Sequence, residues 1–376
     1  MDMKKYILSL SLVTLISAPV FATTAEGEEA YNQKHYEKAF ILLSPEADKG
    51  DAKAQYLLGK MYYNAQGVAF NAEKTEQLLL AAANKGNTDA QVLLAGYYWY
   101  LNTPEGFKKA FSWYQKAADQ NNADGQYGLG YMYDTGTGVP QNNETAMIWF
   151  KKAAALGNSN AALAIGYDFD NGIGVKKDSV QAIEWYKKAA DLGNASGQYN
   201  LGLMYEQGQG TPADFNTASQ YFEKAAAQGH AKAQLELGYL YDAGKLGKAD
   251  VQKAAYWYQK SADLGNYNAQ FNLGDMYFYG DGVGKNLEQS MLWMRKSAEQ
   301  GYGKAQNQLG VYYRDGIGTS ANTVEAYAWF TAAAKHGFDK ATANLTELEK
   351  TMNPEDLSKG KVLGQQYTDK YKTKTE

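Results

Sequence analysis

Few residues in this chain could do covalent chemistry. Its 376 residues include 3 histidines, 6 prolines and no cysteine, beside 31 tyrosines and 38 glycines. Without cysteine there is no thiol nucleophile, disulfide, Cys-based zinc site or lipoprotein anchor. A catalytic histidine needs a nucleophile or carboxylate held beside it. No such constellation recurs near His35, His230 and His336, and the last two adjoin glycines, so all three read as turn residues. The runs Gly136-Thr137-Gly138 and Gly172-Ile173-Gly174 have the look of phosphate cradles, yet no strand precedes them and no Gly-Lys-Ser/Thr follows. This kit supports neither an enzyme nor a bound cofactor or metal. The 37 Lys and Arg against 41 Asp and Glu, a net charge of -4, leave no electrostatic footprint for nucleic acid.

What recurs instead is binding chemistry. Asp134, Asp170, Glu206 and Asp242 follow one another at intervals of 36 residues. Rings stand at positions that share a helical face with them: Tyr97 and Tyr100, Tyr127 and Tyr131, Tyr167, Tyr199, Tyr239, Phe271 and Phe278, with Leu93, Leu163 and Leu235 between. An aromatic trough with an acidic strip suits an extended or helical peptide that carries basic anchors. The alternative is that the acids simply face solvent. A second row, Lys116, Lys152, Lys188, Lys224, Lys260 and Lys296, keeps the same period. Near a helix C-terminus lysine is favourable without any ligand. Its other reading is a basic ribbon against an anionic partner or lipid headgroups.

The elements that position these rows are themselves repeated. A pair ending in glycine returns as Leu58-Gly59, Ala95-Gly96, Leu129-Gly130, Ile165-Gly166, Leu201-Gly202, Leu237-Gly238, Leu273-Gly274 and Leu309-Gly310, spaced 37, 34 and then 36 five times. An aromatic stands three residues after each glycine. Each unit reads as two helices, A and B. Helix B carries a small-x-x-ring-x-x-x-small face, as in Ala146-Trp149-Ala153 and Ala182-Trp185-Ala189, and six of the 7 tryptophans take the ring slot. Asn71, Gly106, Asn142, Asp178, Asp214, Asp250, Asn286 and Asn322 stand where helix B needs its N-cap. Glycines, or Asn121, stand where it needs a left-handed C-terminal residue. Such pairs cannot bury a face alone and must stack. A buried ring of about 150 to 250 Å² at about 25 cal/mol per Å² contributes at most about 4 to 6 kcal/mol, so losing one should cost about 3 to 5 kcal/mol.

The stretch Ala195 to Tyr205, the G-x-G-V loops and the stretch Ala182 to Gly193 resemble the Sel1-like repeat family, over about residues 51–337. The resemblance implies an all-α, right-handed alpha-solenoid of eight helix-turn-helix repeats. It implies a protein-binding scaffold, and for exported members in intracellular bacteria a role in host-cell entry and vacuole traffic. The partner would then be a host trafficking protein, one that handles phosphoinositides being a possibility. Unit two departs from the pattern, with Asn102-Thr103-Pro104 in place of the loop.

Lys4-Lys5, the apolar stretch Tyr6 to Ile16 and Val20-Phe21-Ala22 read as a secretory signal peptide over residues 1–22. The expected product is exported, periplasmic or secreted; a periplasmic envelope scaffold or sensor adaptor is the alternative function. No later segment is long and apolar enough to span a bilayer. Residues 23–50 are expected to form a lone capping helix, and residues 338–376 capping helices, the second from Asn353-Pro354, with a frayed polar tail from Tyr367.

Overall fold

The computed structural model describes residues 23–372, so the expected signal peptide lies outside the described residues. Among the described residues every regular element is an α-helix, 20 in all, and the chain is an all-α solenoid of stacked helix pairs. It divides between Leu156 and Gly157 into two compact units. The first holds α1 (Thr24–Asn32), α2 (Tyr36–Asp48), α3 (Ala52–Asn64), α4 (Ala72–Asn84), α5 (Thr88–Tyr100), α6 (Pro104–Asp119), α7 (Ala123–Thr135) and α8 (Asn143–Ala155). The second holds α9 (Ser159–Asn171), α10 (Ser179–Asp191), α11 (Ala195–Gln207), α12 (Phe215–Ala227), α13 (Ala231–Asp242), α14 (Val251–Asp263), α15 (Tyr267–Tyr279), α16 (Leu287–Ala298), α17 (Gly303–Asp315), α18 (Thr323–Lys335), α19 (Asp339–Glu349) and α20 (Pro354–Lys370).

Local chemistry sets most boundaries. Side chains of Asn71, Asn142, Asp178, Asp214, Asp250, Asn286 and Asn322 accept the first free N–H groups of their B helices. The second repeat differs from expectation: Thr103, not Gly106, caps α6 and accepts from the Gly106 N–H. Pro104, whose fixed φ suits a first helical position, carries the helix start back by three residues. Asn121 takes the left-handed slot at φ 58°, which an asparagine tolerates.

The ring that meets the A-helix glycine is not the one expected. The next residue along takes that place: Phe150, Tyr186, Phe222, Tyr258, Met294 and Phe330 lie against Gly130, Gly166, Gly202, Gly238, Gly274 and Gly310. A Cβ on Gly166 would stand 2.6 Å from Cδ1 of Tyr186, so only glycine allows this approach. Of the rings in the expected slot, Trp113, Trp293 and Trp329 are buried, while Trp149, Trp185, Tyr221 and Trp257 are half-buried. One residue turns a helix by about 100°, enough to move the tryptophan off the A–B seam.

A glutamine four residues before the glycine, or five in the case of Gln91, ties seven of the eight A helices to the end of the helix before them. Nε2 of Gln55, Gln91, Gln126, Gln198, Gln234, Gln270 and Gln306 donates to the carbonyl eight residues earlier, as in Gln91 to Ala83 at 3.0 Å. These carbonyls lie in the last turn of a helix and also accept the backbone N–H three residues on, so the glutamine takes up their second lone pair.

Both ends depart from expectation. Residues 23–50 form two helices rather than one. Lys34, at φ 61°, makes the tight turn between α1 and α2, and Gly27 meets Leu43 as the A-helix glycines meet their rings. At the other end Asn353 caps α20, with Pro354 in its first turn. Tyr367 and Tyr371 are not frayed: their rings lie 4.6 and 5.2 Å from that of Trp329, and the Tyr367 hydroxyl donates to Glu325. Gly360 and Gly364 let α20 lie directly on Tyr327 and Thr331 of α18.

Candidate interaction surface

In the first unit the A-face rings gather between α5 and α7. Tyr127 and Tyr131 are 6.4 Å apart, one turn along α7, and Trp99 meets Tyr131 edge-on at 6.3 Å. With Val92, Tyr114 and Gly128 they line a pocket of about 290 Å³. Gly128 makes room for it, since a Cβ there would stand 2.5 Å from the Tyr114 ring. Tyr131 and Tyr100 are exposed, at 39% and 73%. Tyr97, expected on this face, is instead buried between Tyr63 and Tyr98, at centroid distances of 6.2 and 5.7 Å. Asp134 closes the patch, half-buried, and burial pushes its carboxyl above the usual range.

The second unit repeats the chemistry with more acid. Tyr167 and Tyr239 are exposed, and Asp170 is half-buried beside the Tyr186 hydroxyl. Glu206 is raised by burial, with Lys245 pulling the other way. Asp242, itself exposed, reaches the Tyr258 hydroxyl, which also bonds Asn272. Three expected face residues serve packing instead. Tyr199 lies on His230 and Phe222 at 4.7 and 5.9 Å, Phe271 on Tyr302 at 5.5 Å, and Phe278 on Tyr312 at 5.8 Å.

Sequence reasoning missed Trp99, Tyr114, Glu236 and Asp275. Burial, reinforced by Glu206, pushes Glu236 up to about 7. Burial pushes Asp275 up to about 6. Each acid occurs once at its repeat position, so no period announced it; Trp99 alone replaces a ring that is usually tyrosine or phenylalanine. Carboxylates held in such walls gain when a cation arrives, because the ionised form is then compensated.

The lysine row has partners in its own chain. Lys116, Lys152 and Lys296 lie over Trp113, Trp149 and Trp293 at 3.8, 3.9 and 3.8 Å, and Lys188 and Lys224 over Trp185 and Tyr221 at 4.9 Å. Lys260 uses Tyr256 at 5.6 Å. A lysine one turn on from a ring whose face reaches the surface is held by its quadrupole. The histidines are structural too. His230 Nδ1 accepts from the Ala233 N–H, and the His336 ring bonds Gln306 and the Thr368 carbonyl. Among the described residues there is no cluster of three or more His, Asp or Glu able to hold a metal, and no helix long and apolar enough to cross a membrane.

Glycine-seamed helix pairs, stacked at a constant period and showing rings and acids on one helix face, define a repeat scaffold for protein interaction. The chain belongs to the Sel1 repeat family: the family profile matches residues 52–87, 88–122, 123–158, 159–194, 195–230, 231–266, 268–302 and 303–338. It is similar to a Sel1 repeat protein from Oxalobacter formigenes, with 32% identity over 74% of this chain and 99% of that one, at a TM-score of 0.53. It is also similar to c5321, described as a protective antigen present in uropathogenic Escherichia coli strains, with 31% identity over 93% of this chain and 84% of that one, at a TM-score of 0.49. Among curated proteins it is 33% identical over 125 residues, 30% of this chain, to the ERAD-associated E3 ubiquitin-protein ligase component HRD3A of Arabidopsis thaliana. The match spans only 18% of that relative, and 21% of its paralogue HRD3B.

Proposed function

We propose that the chain is an exported interaction scaffold whose A-helix faces bind a partner polypeptide through basic side chains flanked by apolar ones. The carrying observation is the set of carboxyls raised by burial, Asp134, Glu206, Glu236 and Asp275, placed among exposed rings. A lysine or arginine docking there is attracted where water screens poorly, and its neighbours rest on Tyr131, Tyr167 or Tyr239. On a likeness of these repeats to the exported Legionella protein LpnE, we further propose a virulence-associated setting, host-cell entry or vacuolar traffic, with a host trafficking protein, one handling phosphoinositides, as partner. HRD3A, named as a component of a ligase assembly, supports the scaffold part of this reading.

The test is a pull-down from host-cell lysate with residues 23–376, beside the same chain carrying Asp134→Ala, Glu206→Ala, Glu236→Ala and Asp275→Ala. A partner held by the parent alone, with affinity that falls as salt rises, supports the reading. Equal capture by both folded chains refutes the acidic surface. Capture of envelope proteins from bacterial lysate, and of nothing from the host, moves the scaffold to the periplasm.

A further inference from the structure

The glutamine that ties an A helix to the preceding helix has a second task. In five repeats its Oε1 is reached by the residue that ends helix B of the same pair. Gln120 Nε2 is 2.9 Å from Gln91, Gln228 is 2.9 Å from Gln198, and Gln300 is 2.8 Å from Gln270. Lys85 serves Gln55 at 3.4 Å, and the His336 ring serves Gln306 at 3.0 Å. In the remaining three repeats that end position is Leu156, Leu192 or Leu264. Ala162 replaces the glutamine opposite Leu192, which leaves nothing to satisfy. Opposite the other two leucines the glutamine stays, and Oε1 of Gln126 and of Gln234 is buried with no donor among the protein atoms. A buried amide oxygen left in this way destabilises the fold unless something outside the chain reaches it.

At Gln126 a pocket lies against the buried amide, within a small side-chain movement of its oxygen. The residue is 2% exposed, yet it lines a pocket of about 430 Å³ formed with Asp119, Asn121, Trp149, Lys152 and Leu156. The indole of Trp149 gives a flat wall with the Lys152 ammonium held over it, and Leu156, 52% exposed, stands at the rim. We propose that this pocket receives a side-chain carboxamide, glutamine or asparagine, presented by a partner polypeptide. Its NH2 donates to Gln126 Oε1, as the chain's own glutamines do in three sibling repeats, and its carbonyl accepts from Lys152. A carboxamide is neutral and offers both a donor and an acceptor, which this wall answers with one of each. A lysine or arginine would meet the Lys152 ammonium, and a carboxylate would meet the Asp119 side chain and the Gln126 oxygen, so a neutral group fits the pocket best. The residue beside the amide in the partner rests on Leu156. This site uses other residues than the A-helix faces and stands whether or not those bind a basic segment.

The probe is N-acetyl-L-glutamine methylamide, titrated into the full chain while the side-chain NH2 of Gln126 and the indole N–H of Trp149 are followed by NMR. The isosteric glutamate probe is the control. Saturable shifts are expected at millimolar concentration, the range for a ligand of this size, at least tenfold weaker with glutamate. Leu156→Gln should supply the amide from within, abolishing the response and raising the unfolding midpoint. Leu156→Met should leave the response intact. Gln126→Met should remove it and serves should Leu156→Gln fail to fold. Equal shifts from both probes, no saturation up to about 100 mM, or a full response in folded Leu156→Gln would overturn the proposal, the last two assigning the oxygen to water.

Discussion

Replacing Phe150 with alanine should cost more than replacing its larger neighbour Trp149. Phe150 is 1% exposed, its ring packed against Gly130 at a distance no Cβ would allow, with Tyr127 at 5.8 Å. Full loss of a ring in such a seam, transfer and cavity together, costs about 3 to 5 kcal/mol. Trp149 keeps part of its ring in water, so its truncation leaves a solvent-filled notch and no sealed cavity, and costs about 2 to 3 kcal/mol with its Lys152 contact included. The gap between the variants should therefore be about 1 to 2 kcal/mol. Urea unfolding by circular dichroism measures it, fitting the transition that contains residues up to Leu156, and amide exchange in α7 and α8 localises it. Trp149→Ala costing as much as Phe150→Ala would refute the assignment of the A–B seam to the residue after the tryptophan.

Two further outcomes follow from the buried acids and the last helix. Glu236 and Asp275 have folded values above their unfolded ones, so they stay protonated in the fold while the unfolded chain has already ionised. Stability of the unit from Gly157 onward should be highest below about pH 4 for these groups and decline as pH rises to about 7, by at most about 3 kcal/mol for Glu236. Glu236→Gln should flatten that slope in urea midpoints taken at several pH values; a midpoint that rises with pH in the parent, unchanged in the variant, would contradict it. Tyr367→Ala with Tyr371→Ala should uncover Trp329, now fully buried, and shift tryptophan emission to the red with a loss of about 3 kcal/mol or more. An unchanged spectrum would place another residue over that indole.

The repeat was legible in the sequence because its signals are local. Caps such as Asn142 and Asp178 act within three residues, and the left-handed glycines obey rules of backbone sterics that need no neighbour. Which of two adjacent rings faces the glycine depends on the rotation of one helix against another. Trp149 and Phe150 are equally apolar in a list of letters, and only packing separates them. Thr103 was passed over because the repeat register pointed to Gly106, while Pro104 was setting the helix start by its own φ. The surface was half legible for the same reason. Periodic acids stood out and solitary ones did not, and Tyr97 and Phe278 share the helical positions of the exposed Tyr131 and Tyr100 while their neighbours cover them.

The last repeat has given up its lysine. Ala332 stands where Lys296 stands one repeat earlier, and α20 supplies two tyrosines for the indole that such a lysine would otherwise cover. The face of α18 that carries Tyr327 and Thr331 is spoken for by Gly360 and Gly364. Lengthening such an array by duplication of a 36-residue block is therefore open only upstream of Thr323. A copy of the final pair placed in the interior would bring Trp329 without a cation and Tyr327 without its glycine, so the terminus is a specialised part that cannot be shuffled with the others.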